Sequence, residues 1–522
     1  MKATPASVVS WITTQPSSLT ATAVVGLTAL TRWLAAPFQR GSSEYQTDGL
    51  LDTCVKPWQL FTGQAVAGGD NCYLSFAVSY LASSLFGYRV EILQGVQIAT
   101  AALAYGIIFL ALERMLGRGS ALRTSILLIV LLPFISHGVL PTNMHTALWG
   151  YSGALFALTM QPSLRRDLVL ALSCTVALLG YAAGVVALVP IVLGHVLFWR
   201  SSWPLRRVAT FAGLSSGVVV AVAAVRRILS GTVDPLHWAV DRISLPPLAD
   251  YLSTVKVILR DLFVSADSWY ALGYGQPYIS APVALFLVCA VTCAVLWLSV
   301  SRRPDFAESA LRSARARWIV LFLVSSLVAI LIASINTRVP GIRRAFPAVI
   351  PILAAAATAP ALVPRGALLP VLLNVLFAAT VAWEGARSVE AIRDRWDPAP
   401  PFSWTLVSNF IADRLPGFEE AHIVVVDRAL EPSFDRVFCG LYMDEGTRLK
   451  AAMMLGYDLS GATDLQLWRD GVLASPVPIS ELPAAPLLVV SVTTARAERV
   501  GLALERAGRP SVGSTVNLVI QR

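Results

Sequence analysis

Residues 168–199, LVLALSCTVALLGYAAGVVALVPIVLGHVLFW, decide the topology of this chain, and they include no lysine, arginine, aspartate or glutamate. About 20 residues cross a bilayer as a helix, so this run forms either one long tilted helix or two short ones. Gly180 and Gly184 favour a turn between two helices. We therefore predict two spans here, 168–181 and 184–199.

Apolar runs of similar length occur throughout the first three quarters of the chain. Further spans are predicted at 19–38, 91–112, 123–141, 145–161, 208–226, 278–300, 318–336, 345–363 and 367–386. Of the 522 residues 56% are hydrophobic and 14% charged, and the mean hydropathy of +0.65 lies outside the range of soluble domains. The sequence predicts a polytopic α-helical membrane protein with about 11 transmembrane helices, the first retained as a signal anchor.

The positions of the arginines predict the orientation of these spans. They group in four connections: Arg114, Arg118 and Arg123; Arg165 and Arg166; Arg200, Arg206 and Arg207; and five arginines between Ser301 and Trp318. If 168–199 forms two spans, all four groups lie on one side, which is then cytoplasmic. The net charge of +9 therefore fits a positive-inside topology better than a nucleic-acid surface. The acidic segment 41–73, the loop 227–277 and the tail 388–522 share the outer side.

The tail, 388–522, differs from the membrane domain, 1–387. After the polar, proline-rich stretch Arg393–Pro401, candidate strands alternate with helical patterns such as Glu498–Ala507. The candidate strands are Ile423–Asp427, Leu487–Val492 and Asn517–Ile520. The tail is predicted to form a small extracytoplasmic α/β domain. It contains no glycine-rich phosphate loop and no nucleophile elbow, so we assign it no catalysis.

The first outer loop, 39–90, carries most of the candidate chemistry. Glu44, Asp48 and Asp52 follow one another at spacings of four, so on a helix they project from one face, where they repel one another. Ser43 and Gln46 form a capping box that would start such a helix. The apolar run Tyr73–Phe86 is short for a span and predicts an interfacial helix on the outer surface. Two further residues of the loop, Cys54 and Cys72, suit either a disulfide or two free thiols.

Arginines on the outer side run against the positive-inside trend. They are Arg226, Arg227, Arg338, Arg343 and Arg344. Phosphate binding and snorkelling to anionic headgroups both explain them.

The loop 227–277 interleaves aromatic and charged residues, among them His237, Trp238 and Tyr270. This pattern suits the apolar faces and hydroxyls of a sugar, and it equally suits an interfacial aromatic belt.

The order of these features resembles the GT-C superfamily of membrane glycosyltransferases. The first span is followed by a loop opening with Ser43-Glu44-Tyr45 and Asp48, by a surface helix ending Leu85-Phe86-Gly87, and by Arg89 and a long span. The connection Asn336–Pro347 is similar to the arginine-then-proline start of a late span in that superfamily. The resemblance covers residues 19–387 by layout. It departs from the commonest pattern because Glu44-Tyr45 with Asp48 stands where an adjacent Asp-Glu pair is expected.

The resemblance implies inverting transfer of a sugar from a polyprenyl-phosphate donor to a glycan, lipid or protein acceptor on the outer face of the membrane. An outer carboxylate would then take the acceptor proton as general base; Asp48 is the first candidate, followed by Glu44 and Asp52. Asp70 would assist in substrate binding or hold Mg²⁺ or Mn²⁺. The outer arginines would bind the donor phosphate. For each acid, the alternative is a solvated loop residue.

Three other classes compete with this interpretation. A secondary transporter predicts internal repeats and mid-membrane acids, and the sequence has no convincing repeat. A polysaccharide polymerase or ligase of another fold predicts a large late outer loop, whereas here the acidic loop comes first. A non-catalytic scaffold would use its tail to bind partners.

The alanine- and arginine-rich, lysine-poor composition suggests a bacterium with a GC-rich genome, and hence the inner membrane and a role in the cell envelope.

Overall fold

The structure is a computed structural model. It describes residues 16–39, 73–86, 90–139, 145–180, 184–230, 246–266, 275–300, 307–335, 342–363 and 368–394, together with seven strands between residues 422 and 521.

The first 394 residues form α-helices in the described part of the chain. They are α1 (Ser17–Gln39), α2 (Tyr73–Phe86), α3 (Val90–Leu116), α4 (Arg118–Val130), α5 (Leu132–His137), α6 (His145–Leu158), α7 (Leu164–Gly180), α8 (Gly184–Phe198), α9 (Leu205–Ser230), α10 (Leu248–Phe263), α11 (Ala281–Val300), α12 (Ala307–Ala333), α13 (Phe346–Leu362) and α14 (Leu368–Asp394). Two 3₁₀ helices, Arg200–Ser202 and Ile342–Ala345, precede α9 and α13.

Apart from 123–141, each predicted span coincides with one of these helices. Among the described residues, five helices are long and apolar enough to cross a membrane, namely α1, α3, α11, α12 and α14, and α8 and α13 are shorter apolar helices. The predicted surface helix is α2. The chain is thus a polytopic helical membrane protein, as predicted.

One predicted span, 123–141, is wrong as a single helix. It breaks at Leu131, whose ψ of 124° is extended, and continues as the six-residue helix α5. Pro133 is the physical reason, because it has no N–H to donate to the carbonyl of Ile129 four residues earlier. Arg32 of α1 supplies the missing donors. It is fully buried, and its guanidinium donates to the carbonyl oxygens of Ile129 at 3.3 Å, Leu128 at 2.5 Å and Phe134 at 3.2 Å.

Replacing Arg32 by methionine is expected to destabilise the protein by about 3 kcal/mol, because it leaves buried carbonyls without donors that a charged group had supplied. Thermal unfolding of the purified chain in detergent measures this loss. The melting temperature of Arg32→Lys should lie between those of the wild type and of Arg32→Met, because an ammonium group cannot donate to three carbonyls at once as the planar guanidinium does. Thr22→Ala, at an exposed hydroxyl that bonds within α1, is the control. An unchanged melting temperature for Arg32→Met would contradict this account.

Helix α13 is the centre of the membrane domain, since nearly every one of its residues is buried. It packs against α4, α8, α11, α12 and α14. Three side chains from neighbouring helices hold the carbonyl groups of its C-terminal half. Arg123 donates to Ala357 at 2.7 Å, Trp297 to Leu362 at 2.6 Å and Arg315 to Ala361 at 3.5 Å. The bonds to Ala361 and Leu362 satisfy carbonyls that the helix end leaves without partners, and all three bonds anchor α13 at that end.

The described arginines of the short connections meet at this same end of the helices, which we call the arginine-rich end. Arg114 donates to Thr159 at 3.4 Å, Arg118 to Thr20, and Arg166 to the carbonyl of Ser202 at 3.3 Å. These bonds bring together the start of α1, the junction of α3 with α4, the end of α6, the start of α7 and the 3₁₀ helix after α8. The grouping is the one that the positive-inside interpretation requires.

Residues 168–199 form two helices, α7 and α8, as predicted. Both lie with one end at the arginine-rich end. At the opposite end, Gly180 and Gly184 pack against the first turn of α6, where a Cβ on Gly184 would come within 2.6 Å of the Ala147 Cβ. The two helices are therefore antiparallel, and glycine at 184 permits this close approach.

The described part of the tail is a seven-stranded sheet. Its strands are β1 (His422–Val425), β2 (Met453–Leu455), β3 (Asp464–Arg469), β4 (Val472–Pro478), β5 (Leu487–Val490), β6 (Ser511–Thr515) and β7 (Leu518–Gln521), in the order β4-β3-β2-β1-β5-β7-β6. β1 pairs in parallel with β2 and β5, and the remaining pairs are antiparallel. The three predicted strands match β1, β5 and β7. The predicted helix Glu498–Ala507 lies outside the described residues.

Candidate functional site

The candidate site lies at the end of the helices opposite the arginine-rich end. The last turns of α1 and α14, the start of α3 and all of α5 converge there around a small apolar cluster that includes Ala35, Ile98, Ile135 and Ile392. The segment that precedes α13 lies at the same end, and it is the 3₁₀ helix Ile342–Ala345. Two of the predicted phosphate-binding residues, Arg343 and Arg344, therefore lie in a 3₁₀ helix at the N-terminus of the central helix.

Helix α10 supplies the group that holds this 3₁₀ helix. Its buried residues Thr254, Ile258, Asp261 and Leu262 recur at helical spacing and form one face. Asp261 is the acid on that face and is 0% exposed. Its Oδ2 accepts a hydrogen bond from the backbone N–H of Ile342 at 3.4 Å, and its Oδ1 lies 4.0 Å from an Arg260 nitrogen. The carboxylate therefore fixes the start of the 3₁₀ helix.

The backbone of α10 also binds the segment before α11. The carbonyl of Asp261 accepts from the N–H of Tyr278 at 3.3 Å, and that of Leu262 accepts from Ile279 at 2.8 Å. Asp261 thus joins three segments: α10, the residues before α11 and the 3₁₀ helix before α13.

A buried histidine completes this arrangement. The Nε2 of His137, the last residue of α5, lies 2.6 Å from the hydroxyl of Tyr278. The imidazole stacks on Phe346 with ring centroids 3.9 Å apart, and Gln97 donates to the His137 carbonyl at 2.6 Å. A ring of contacts therefore runs from Asp261 through the 3₁₀ helix to Phe346, His137 and Tyr278, and back to α10.

A second buried carboxylate lies on α14. Glu384, whose side chain is 2% exposed, is 3.9 Å from the guanidinium of Arg387. The amide of Gln276 donates to the Arg387 carbonyl at 2.9 Å, which ties the last turns of α14 to the segment before α11. This end of the molecule thus combines buried carboxylates and a histidine, which can hold protons, with an arginine pair, which can hold an anion.

The remaining predicted site residues divide into two groups. Arg226 and Arg227 lie near the end of α9, about 32 Å along its axis from Leu205, and so away from the arginine-rich end. The others lie outside the described residues: Glu44, Asp48, Asp52, Asp70, His237, Trp238, Tyr270, Arg338, Cys54 and Cys72. The predicted helix over the first-loop acids lies outside them too. Within the described ranges, no three His, Cys, Asp or Glu side chains gather as a metal ion would require.

Sequence reasoning missed Asp261 and the helix that carries it, because 227–277 was predicted as a loop. The signal was present in the spacing of Thr254, Ile258 and Leu262, which is typical of a helix with one buried face, and an acid at position 261 falls on that face. The role of His137 has no local signal in the sequence, since its partner Tyr278 is 141 residues away.

No protein-family model and no curated protein matches the chain. Two solved structures are similar to it over nearly its whole length. The crystal structure of ArnT from Cupriavidus metallidurans bound to undecaprenyl phosphate has 12% identity and a TM-score of 0.45, with 96% of this chain and 97% of that chain covered. The apo structure of the same ArnT has 13% identity and a TM-score of 0.39 at the same coverage. Similarity of this size identifies neither a family nor an activity.

Proposed function

We propose that the chain is a GT-C-type glycosyltransferase that moves a sugar from a polyprenyl-phosphate donor to an acceptor at the outer face of the bacterial inner membrane. The observation that supports this most is the 3₁₀ helix bearing Arg343 and Arg344, which a buried carboxylate anchors at the end opposite the arginine-rich end. The acidic segment begins directly after α1, whose last turn lies at this same end. A base and a phosphate-binding pair can therefore meet there.

The electrostatics of this end suit a lipid phosphate. The 3₁₀ helix leads directly into α13, whose N-terminus carries the positive end of the helix dipole. Two arginines placed there add two formal charges and planar donors that match phosphate oxygens. Negative charge grows on the donor phosphate as the sugar leaves, so these groups would stabilise the transition state more than the ground state.

In the proposed reaction, Asp48 takes the proton of the acceptor hydroxyl as that oxygen attacks the anomeric carbon. The new glycosidic bond forms as the bond from the anomeric carbon to the phosphate oxygen breaks, and polyprenyl phosphate leaves with that electron pair. Attack from the face opposite the leaving group inverts the anomeric centre. Glu44 and Asp52 are the alternative bases.

The remaining assignments of the proposal concern the substrates. Arg226, Arg227 and Arg338 would bind the donor phosphate together with the arginine pair. His237, Trp238 and Tyr270 would contact the sugar by stacking and hydrogen bonding. Asp70 would assist in substrate binding or hold Mg²⁺ or Mn²⁺. The acceptor would be a glycan, a lipid or a protein of the cell envelope.

Donor use can be tested on the purified full-length chain in nanodiscs. The chain is incubated with undecaprenyl-phosphate-linked pentoses and hexoses and with an envelope extract as the acceptor source, and released undecaprenyl phosphate is measured by mass spectrometry. We expect undecaprenyl phosphate to be released from at least one donor, and we expect this release to require both the chain and the extract. Binding of undecaprenyl phosphate by native mass spectrometry should exceed that of undecaprenol at least tenfold. Equal binding together with no release from any donor would overturn the proposal.

Asp261 is a positioning residue in this proposal, and its removal has a measurable consequence. Asp261→Ala should weaken undecaprenyl phosphate binding about tenfold, because the Ile342 N–H loses its acceptor and the 3₁₀ helix its anchor. Asp261→Asn keeps an oxygen acceptor and should keep most of the affinity. Asp250→Ala, at an exposed acid on the same helix, is the control.

A purely structural role for Asp261 would lower the melting temperature and leave the preference for undecaprenyl phosphate over undecaprenol unchanged. That preference, measured for each variant, therefore separates positioning from general destabilisation. An alanine variant with wild-type preference would contradict the assignment.

A further inference from the structure

A pocket at the arginine-rich end is separate from the proposed transfer site. It has a volume of about 190 Å³ and lies where α3, α6 and α8 end and where α7 begins. Its polar wall includes Arg114, Arg166 and Thr159, and its aromatic wall includes His195, Trp199 and Trp318. None of the residues that line it is acidic.

The pocket carries a surplus of positive charge. Arg166 is 1% exposed, and its Nε lies 3.1 Å from Oδ1 of Asp167. The other oxygen of that carboxylate lies 3.1 Å from Arg207. One carboxylate is thus shared by two arginines, which leaves a net charge of about +1 on the three groups. Arg114, whose guanidinium lies 4.6 Å from the ring centre of Phe156 and donates to Thr159, adds a second positive charge.

The aromatic wall is fixed by its own contacts. The imidazole of His195 stacks on Trp199 at 4.8 Å and on Trp318 at 5.3 Å between ring centroids. Its Nδ1 accepts a hydrogen bond from the indole of Trp203 at 2.9 Å. A ring that accepts at Nδ1 carries its hydrogen at Nε2, so His195 is a neutral donor there. Indoles of this kind gather where a bilayer meets water.

We propose that this pocket binds the headgroup phosphate of an anionic phospholipid from the leaflet at the arginine-rich end. Three observations agree: the surplus of positive charge, the aromatic groups typical of the interface, and the apolar side chains of Leu158 and Met160 in the lining, which suit the start of the acyl chains. Basic pockets between transmembrane helices on the cytoplasmic side are known to bind anionic headgroups. On the predicted topology this leaflet is the cytoplasmic one.

Native mass spectrometry of the detergent-purified full-length chain tests the proposal. Dioleoyl phosphatidylglycerol should bind at least tenfold more tightly than dioleoyl phosphatidylcholine, and glycerol 3-phosphate should compete only weakly. Arg114→Gln should remove most of that selectivity, because it removes a charge at an exposed helix end. Trp199→Leu, which removes an indole from the wall, should also weaken phosphatidylglycerol binding. Arg165→Gln, at an exposed arginine of the same end outside the lining, is the matched control.

Each of three results would overturn the proposal. They are equal binding of the two phospholipids, equal effects of Arg114→Gln and Arg165→Gln, and binding of glycerol 3-phosphate as tight as that of the lipid, which would indicate a soluble phosphate ligand. The double variant Arg343→Gln/Arg344→Gln should retain its preference for phosphatidylglycerol. The lipid pocket and the proposed transfer site can therefore fail independently.

Discussion

Replacing Arg343 and Arg344 together by glutamine is expected to lower the affinity of the chain for undecaprenyl phosphate about 100-fold. Each charge-assisted contact to phosphate contributes about 1.5–3 kcal/mol, and about 1.4 kcal/mol is a factor of ten, so the loss of two contacts gives at least this change. Native mass spectrometry or a titration in nanodiscs measures the affinity. Undecaprenol, which lacks the phosphate, should bind the variant and the wild type equally.

The matched control is the double variant Arg165→Gln/Arg200→Gln, because both arginines are exposed and lie at the arginine-rich end. It removes the same charge from the opposite end of the helices. If both double variants lose the same affinity, long-range charge explains the binding and the arginine pair is not a phosphate site. If the Arg343/Arg344 variant binds like the wild type, the proposed donor site is wrong.

Replacing Asp48 by asparagine is expected to lower the rate of sugar transfer about 10²- to 10⁴-fold, the usual contribution of a general base. The amide has nearly the same shape but cannot take the acceptor proton. Undecaprenyl phosphate should bind this variant as it binds the wild type, since the carboxylate acts on the acceptor. Single-turnover transfer and lipid binding, measured on the same preparation, separate the two effects.

Glu44→Gln and Asp52→Asn are the comparison for this prediction. Each removes one acid from the same loop and the same predicted helix face, so a charge effect alone would slow all three variants alike. A loss confined to Asp48→Asn assigns the base. Wild-type rates for all three variants would mean that the base lies elsewhere, and the buried acids Asp261 and Glu384 would be the next residues to replace.

The positions of the membrane helices could be predicted from the sequence because an apolar run long enough to cross a bilayer has few alternatives. Gly180 and Gly184 also indicated the correct number of helices in residues 168–199. The break at Leu131 could not be predicted. A proline such as Pro133 weakens a helix, but the donors that make the break stable come from Arg32, about 100 residues earlier.

The candidate site was predictable only where a residue departed from the composition around it. Arg343 and Arg344 were candidates because arginine is uncommon on the outer side of a membrane protein, and their role stays a prediction. Asp261, Glu384 and the His137–Tyr278 pair depend on contacts between distant segments, which periodicity and spacing do not reveal. The local spacing places Asp261 on a buried helix face. It does not reveal the partner of this acid, which is the backbone N–H of Ile342 in another segment.

The length of helix α13 also bears on how deep in the bilayer the residues at its N-terminus lie. It is 17 residues long, or about 26 Å, which is close to the ~30 Å hydrocarbon thickness of a bilayer. Side chains of other helices hold one of its ends and Asp261 holds the segment before the other, so it cannot slide along its axis without breaking those bonds. On the predicted topology, the segment that carries Arg343 and Arg344 would then lie at the level of the phosphates of the outer leaflet. A lipid-linked substrate could then react with its phosphate still in its own headgroup layer, and only the sugar would have to reach into the protein.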